Sequence, residues 1–167
     1  MTRLLLALAI LAAATAPGMA QQKKANMPGM DKPVPGAPYH PGLGDLMTAY
    51  VQPRHIKLGL AGVAQNWAYA GYELGELRET FDDVGKLVPK HGNLDIPPAI
   101  AATVGQPMDA VDAAIKAQDQ AAFTKAYADL TAACNACHQS ADHPMIVIQV
   151  PAFTGTGFPD QDFSPSK

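Results

Sequence analysis

Cysteine is nearly absent from this chain of 167 residues: there are two, Cys134 and Cys137, which leaves nothing for a structural disulfide framework. Long apolar runs are equally scarce. The candidate at residues 4–14 is too short for a comfortable membrane span, and no cysteine follows it to carry a lipid. Positive charge is not in excess either, with 12 Lys and Arg against 15 Asp and Glu and a net charge of −3. Nucleic acid is a poor partner for such a balance.

What is present begins with an export signal. Residues 1–20 combine a basic start at Arg3, the short apolar run, and small residues at Gly18 and Ala20, the pattern of a signal peptide cleaved before Gln21. The mature chain is expected in the periplasm, with no transmembrane segment and a length that suits one domain with a real core. Residues 21–42 are rich in Pro, Gly, Met and Lys and read as a flexible leader. Met27, Met30 and His40 are residue types that bind copper or silver, but their spacing shows no convergence.

Hydrophobic periodicity predicts four helices, over residues 43–63, 67–88, 99–116 and 119–140. Pro53 should bend the first or break its hydrogen-bond ladder, Pro89 should end the second, and Gly105-Gln106-Pro107 interrupts the third. Residues 90–98, with Gly92 and a double proline, read as a loop. The expected architecture is all-α: an antiparallel four-helix bundle over residues 43–141, followed by a tail over 142–167. The apolar segment 145–150 and the anchors Phe153, Phe158 and Phe163 should lay that tail against the bundle. Glu73, Glu76, Glu79, Asp82 and Asp83 form either a solvated helix face or a docking face for a basic redox partner.

The chemistry concentrates at Cys134-Asn135-Ala136-Cys137-His138. Two thiols and an imidazole at this spacing suit one covalently attached haem c, with the thiols joined to the vinyl groups and His138 on the iron. Two other chemistries use C-x-x-C. A redox dithiol expects an early βαβ context and leaves His138 without a role; half a zinc site lacks its second cysteine pair, and His143 is a poor fourth ligand. Phe123, Tyr127, Leu130, Cys134 and Cys137 recur every three or four residues, so the motif lies on the last turns of a core-facing helix.

The segment AQDQAAFTKAYADLTAACNACH, residues 117–138, resembles the final helix of class II c-type cytochromes, the family of cytochrome c′ and its low-spin relatives. That resemblance implies a four-helix bundle with Cys134 and Cys137 carrying the haem thioethers and His138 as fifth iron ligand. It implies a methionine from helix one on the iron in low-spin members, an apolar side chain there in high-spin members, and frequent pairing of two copies through helices one and two. Gly59, Gly62, Gly71 and Gly75 would permit such close contact, and also serve inside a monomer. This chain departs from the family after the motif, where Gln139, Ser140, Ala141 and Asp142 stand in place of the usual basic residue.

The sixth iron position decides function, since a closed low-spin iron suits electron transfer and an open one binds a diatomic ligand. Helix one offers His55 and Met47, eight residues apart and about 80° around an ideal helix. The weight falls on His55, near the middle of that helix, with Met47 next and then Met145 and His143. Trp67, Tyr69 and Tyr72 read as core or interface mass or as contacts at a haem edge. Arg54 and Lys57 read as partners for haem propionates or for surface carboxylates. Electron transport by a mono-haem carrier that is not an enzyme is the leading expectation. Binding or sensing of nitric oxide or carbon monoxide is the alternative, and a catalytic role would need His55 held off the iron as an acid–base group.

Overall fold

Pro53 sets the form of the first helix. In the computed structural model, which describes residues 39–151 and 163–165, α1 (Leu43–Leu46) passes into a π turn (Met47–Val51) and then into α2 (Gln52–Val63). Proline has no N–H for the carbonyl four residues back, and its ring crowds that carbonyl. Just before it the ladder widens, so that the Gln52 N–H reaches the Met47 carbonyl, and the rod passes the proline unbroken. The expected signal peptide, residues 21–38 of the leader, Phe153 and Phe158 lie outside the described residues.

Two of the later helices start where a side-chain cap holds them. The Asn66 side chain accepts the Tyr69 N–H at the start of α3 (Trp67–Leu87), and Asp119 accepts the Ala121 and Ala122 N–H groups ahead of α5 (Gln120–Ser140); both supply an acceptor to donors that have no intrahelical partner. Between α3 and α4 the chain is more ordered than the loop the sequence predicts. It makes an antiparallel ladder of β1 (Lys90–His91) and β2 (Leu94–Asp95), in the register Lys90 to Asp95 and His91 to Leu94, turned at Gly92 with φ +58°.

The helix α4 (Ile96–Ala117) begins ahead of its predicted start, because Pro97 and Pro98 occupy the first turn, where a missing N–H costs nothing. The expected interruption at Pro107 does not occur. An interior proline costs about 3 kcal/mol, but Val104, Met108 and Val111 on either side of it are buried, and this packing outweighs the loss.

Consecutive helices pack on one another and α2 closes onto α5, giving an all-α antiparallel bundle joined by short connections. Leu58, Leu77, Val84, Val111, Phe123 and Leu130 form its fully buried centre, each contributing about 2 kcal/mol of apolar burial. Two glycines bring α2 close to α5: a Cβ at Gly62 would lie 1.9 Å from the Phe123 ring, and one at Gly59 would lie 2.6 Å from the Tyr127 ring. Their smallness is therefore used within the chain.

Two sequence expectations change. Glu73 does not belong to a solvated acidic face: it is 1% exposed, beside Leu74 and Leu77, with Arg54 Nη1 at 3.3 Å. Helical period turns it inward while Glu79 and Asp82 stay exposed. In the tail, Met145, Ile146, Val147 and Val150 are exposed rather than packed, because hydrogen bonds between its backbone and the Asn135 and His138 side chains of α5 hold this segment and its side chains are left pointing outward. Phe163 behaves as the expected anchor: it is buried, stacks on Tyr69 at 5.5 Å, and is followed by a Ser164 carbonyl that accepts from Asn66 Nδ2 at 2.8 Å. Among the described residues no helix is long and apolar enough to cross a membrane.

Candidate functional site

The core-facing stripe of α5 runs out of the core at its C-terminal end. Phe123, Tyr127, Leu130 and Thr131 are buried, whereas Cys134, Cys137 and His138 are half-buried. Spacings of three and four residues place these last three side chains on one helical face. Both thiols are free. Burial, and then the neighbouring Cys137, push the Cys134 thiol up to about 11. Burial also raises Cys137, and a hydrogen bond with Thr103 of α4 partly offsets it. Neither sulfur is then a thiolate at neutral pH, the opposite of what an attacking redox cysteine requires.

His138 is fixed from outside the helix. Its Nδ1 lies 3.1 Å from the Ile146 carbonyl. A carbonyl only accepts, so Nδ1 carries the proton and Nε2 of the neutral ring is left as the lone-pair donor, the arrangement that prepares an imidazole for a metal. The carbonyl is delivered by a sharp reversal. Asp142 adopts φ +60° just past α5, with the His143 N–H on the His138 carbonyl and the Asp142 N–H on the Gln139 carbonyl, which closes the helix end and sends the chain back along it. The returning strap, residues 143–150, is held again at Ile148 by Asn135. At its start His143 meets His91 of the β1 strand, ring centroids 5.5 Å apart, so His91 has a neighbour that the sequence did not announce.

His55 belongs to a different layer. It is 4% exposed, with Nε2 3.0 Å from Thr131 Oγ1 and Nδ1 3.0 Å from the Tyr127 hydroxyl, and its ring stacks on Tyr127 at 4.7 Å. The Tyr127 hydroxyl also lies 2.7 Å from the His55 carbonyl and the Thr131 hydroxyl 2.9 Å from the Tyr127 carbonyl, so the neutral ring donates to one hydroxyl and accepts from the other, whose one proton is shared with its carbonyl. Both ring nitrogens are thus engaged by α5 above the cysteines. Spacing marked Tyr127 only as core, and nothing in the sequence marked Thr131.

Burial lowers the His55 pKa from 6.5 to about 4. The unfolded chain therefore binds a proton that the folded chain refuses between those values. Stability is expected to fall as pH drops from about 6.5 towards 4, by up to about 3 kcal/mol from this group. Urea unfolding of the wild-type and His55→Gln chains across this range checks it: the difference between their stabilities should change with pH, and a constant difference would contradict the assignment.

The other named residues lie elsewhere. Met47 is half-buried in the π turn against the core. Arg54 gives Nη1 to Glu73 and Nη2 to Glu76 at 2.6 Å, so its fork serves two carboxylates of α3. Trp67 packs edge-on against Phe123 at 5.9 Å, near the start of α5 and away from the motif, and Tyr72 is exposed. Two surface clefts open on α3, one of about 380 Å³ against α4 near Arg78, Phe81 and Pro97, the other of about 320 Å³ near Tyr39, Leu46 and Tyr50. Neither is lined by Cys134, Cys137 or His138. Among the described residues no group of three or more His, Cys, Asp or Glu side chains converges as a metal cage. No known family, curated protein or solved structure matches this chain.

Proposed function

We propose that this chain is a periplasmic mono-haem c-type cytochrome that carries electrons. One observation bears most of the weight: the imidazole that follows C-x-x-C has its Nδ1–H committed to a backbone carbonyl and its Nε2 left over, on the same helical face as two free thiols. Cys134 and Cys137 would hold haem c through thioethers and His138 through Nε2. When bound, the group supplies a reversible one-electron change at iron, and the protein sets its potential and access. The carbonyl of Ile146 makes His138 a stronger donor. The outward apolar side chains of Met145, Ile146, Val147 and Val150 offer material to keep water from the edge of the site.

The bundle's register favours Met47 over His55 as the sixth ligand. Gly62 lies against Phe123, Gly59 against Tyr127, and His55 against Thr131. Carried on antiparallel, the same register brings the π turn to the level of His138 and leaves His55 about 12 Å further along the rod. The ring nitrogens of His55 are also already bonded. Exposed Glu79 and Asp82 stand on the closing turns of α3, at the same end of the bundle as the motif, where they suit a basic redox partner.

Optical and electron paramagnetic resonance spectra of the exported protein, with carbon monoxide added to the reduced form, separate this reading from gas binding. A low-spin spectrum untouched by carbon monoxide is expected. A high-spin spectrum with ready carbon monoxide binding would transfer the function to nitric oxide or carbon monoxide binding.

A further inference from the structure

We propose that Asn135, inside the CNACH motif, is a positioning residue for the His138 imidazole, acting through the strap; the inference rests on the haem reading for its redox consequence and on the geometry alone for the rest. The side-chain amide of Asn135 makes a two-way pair with one strap residue: Nδ2 donates to the Ile148 carbonyl at 2.9 Å, and the Ile148 N–H donates to Oδ1 at 2.7 Å. Two residues earlier on the strap, the Ile146 carbonyl accepts from His138 Nδ1 at 3.1 Å. Alternate residues of an extended segment present their backbone groups to the same side, and Asn135 and His138 lie one turn apart on α5. One segment of backbone is therefore docked on one face of the helix at two points, and the second point is the imidazole.

Beyond the start, pinned by the His143 N–H on the His138 carbonyl and the Ile146 N–H on the His143 carbonyl, little else among the described residues holds the strap. Met145, Val147 and Val150 are exposed and Ile146 is 44% exposed, so apolar burial contributes little and the hydrogen bonds decide where the backbone lies. The clasp requires a donor and an acceptor on one short planar group. Asparagine has both; aspartate keeps only the acceptor, glutamine displaces the pair by a methylene, and alanine has neither. With the clasp gone, the Ile146 carbonyl leaves His138, and Nδ1–H turns to water. The imidazole becomes a weaker and less fixed donor, ferric iron loses more stabilisation than ferrous, and the reduction potential rises.

The test compares Asn135→Ala and Asn135→Asp with the wild-type exported chain. Losing the clasp should speed exchange of the Ile148 amide about tenfold, the opening equivalent of one hydrogen bond, with a smaller increase for Asn135→Asp. The potential of the haem-loaded Asn135→Ala chain should shift upward, and the His138 Nδ1 nitrogen resonance should move. Unchanged Ile148 exchange overturns the inference. Faster exchange with an unmoved His138 resonance and potential also overturns it, by showing a strap clasp that does not reach the imidazole. Should the exported chain carry no haem, the haem reading fails separately, and exchange and the His138 resonance still decide the clasp.

Discussion

Met47→Ala is expected to open the iron of the haem-loaded chain: a low-spin protein indifferent to carbon monoxide becomes one that binds it on reduction and shows high-spin signals when oxidised. The side chain is half-buried in the π turn, and the register set by Gly59, Gly62 and His55 on α5 carries that turn to the level of His138. Alanine has no donor atom, so nothing at this position can replace the thioether. The companion variant His55→Gln should leave the iron closed, because both ring nitrogens of His55 are spent on Thr131 and Tyr127. Optical titration with carbon monoxide reads both. An iron that stays closed in Met47→Ala and opens in His55→Gln would reverse the assignment.

Arg54→Ala should cost about 4 kcal/mol of stability, because it strands a buried carboxylate. Glu73 is 1% exposed; Arg54 Nη1 reaches it at 3.3 Å while Nη2 reaches Glu76. The Tyr69 hydroxyl is hydrogen-bonded to Glu73 as well, but a neutral donor does not balance a charge. Removing both members of the pair, Arg54→Met with Glu73→Leu, should recover most of the loss, since a similar volume of apolar side chain carries no desolvation penalty. Urea unfolding of the two variants beside the wild-type chain measures this. A loss below about 1 kcal/mol for Arg54→Ala, typical of an exposed pair, would show that Glu73 finds water without its arginine.

The helices were legible where proline and apolar spacing agreed, and less so where they conflicted. Pro89 closes α3 as read, and Pro53 perturbs its rod as read, although a π turn rather than a bend absorbs it. The sequence around Pro107 predicts an interruption, yet the burial of Val104, Met108 and Val111 carries α4 through it. The helix ends lie within one residue of those expected, although Gln65, Gln118 and Asp142 take positive φ just past α2, α4 and α5, where glycine is the usual signal. A left-handed conformation costs such residues about 1–2 kcal/mol, which the reversed backbone hydrogen bonds offset.

Within the candidate site, local spacing placed Cys134, Cys137 and His138 on one face of the last helix, and this needed no tertiary information. The strap did need it. Its apolar composition suggested burial, whereas the polar pairings at Asn135 and His138 fix its position and leave its side chains outside. The choice between His55 and Met47 turns on how far α2 slides along α5, and the contacts that set this, Gly62 on Phe123 and Gly59 on Tyr127, join residues remote in sequence. The acidic run misled for a similar reason, since counting charges does not show which one the helix turns inward.

The most direct test of the account is the mass of the exported chain after denaturation and acid extraction, beside that of a Cys134→Ala, Cys137→Ala chain. The account predicts that the wild-type polypeptide keeps the added mass of one haem through denaturation and that the double variant does not. A denatured wild-type chain with the mass of the bare processed polypeptide would contradict it.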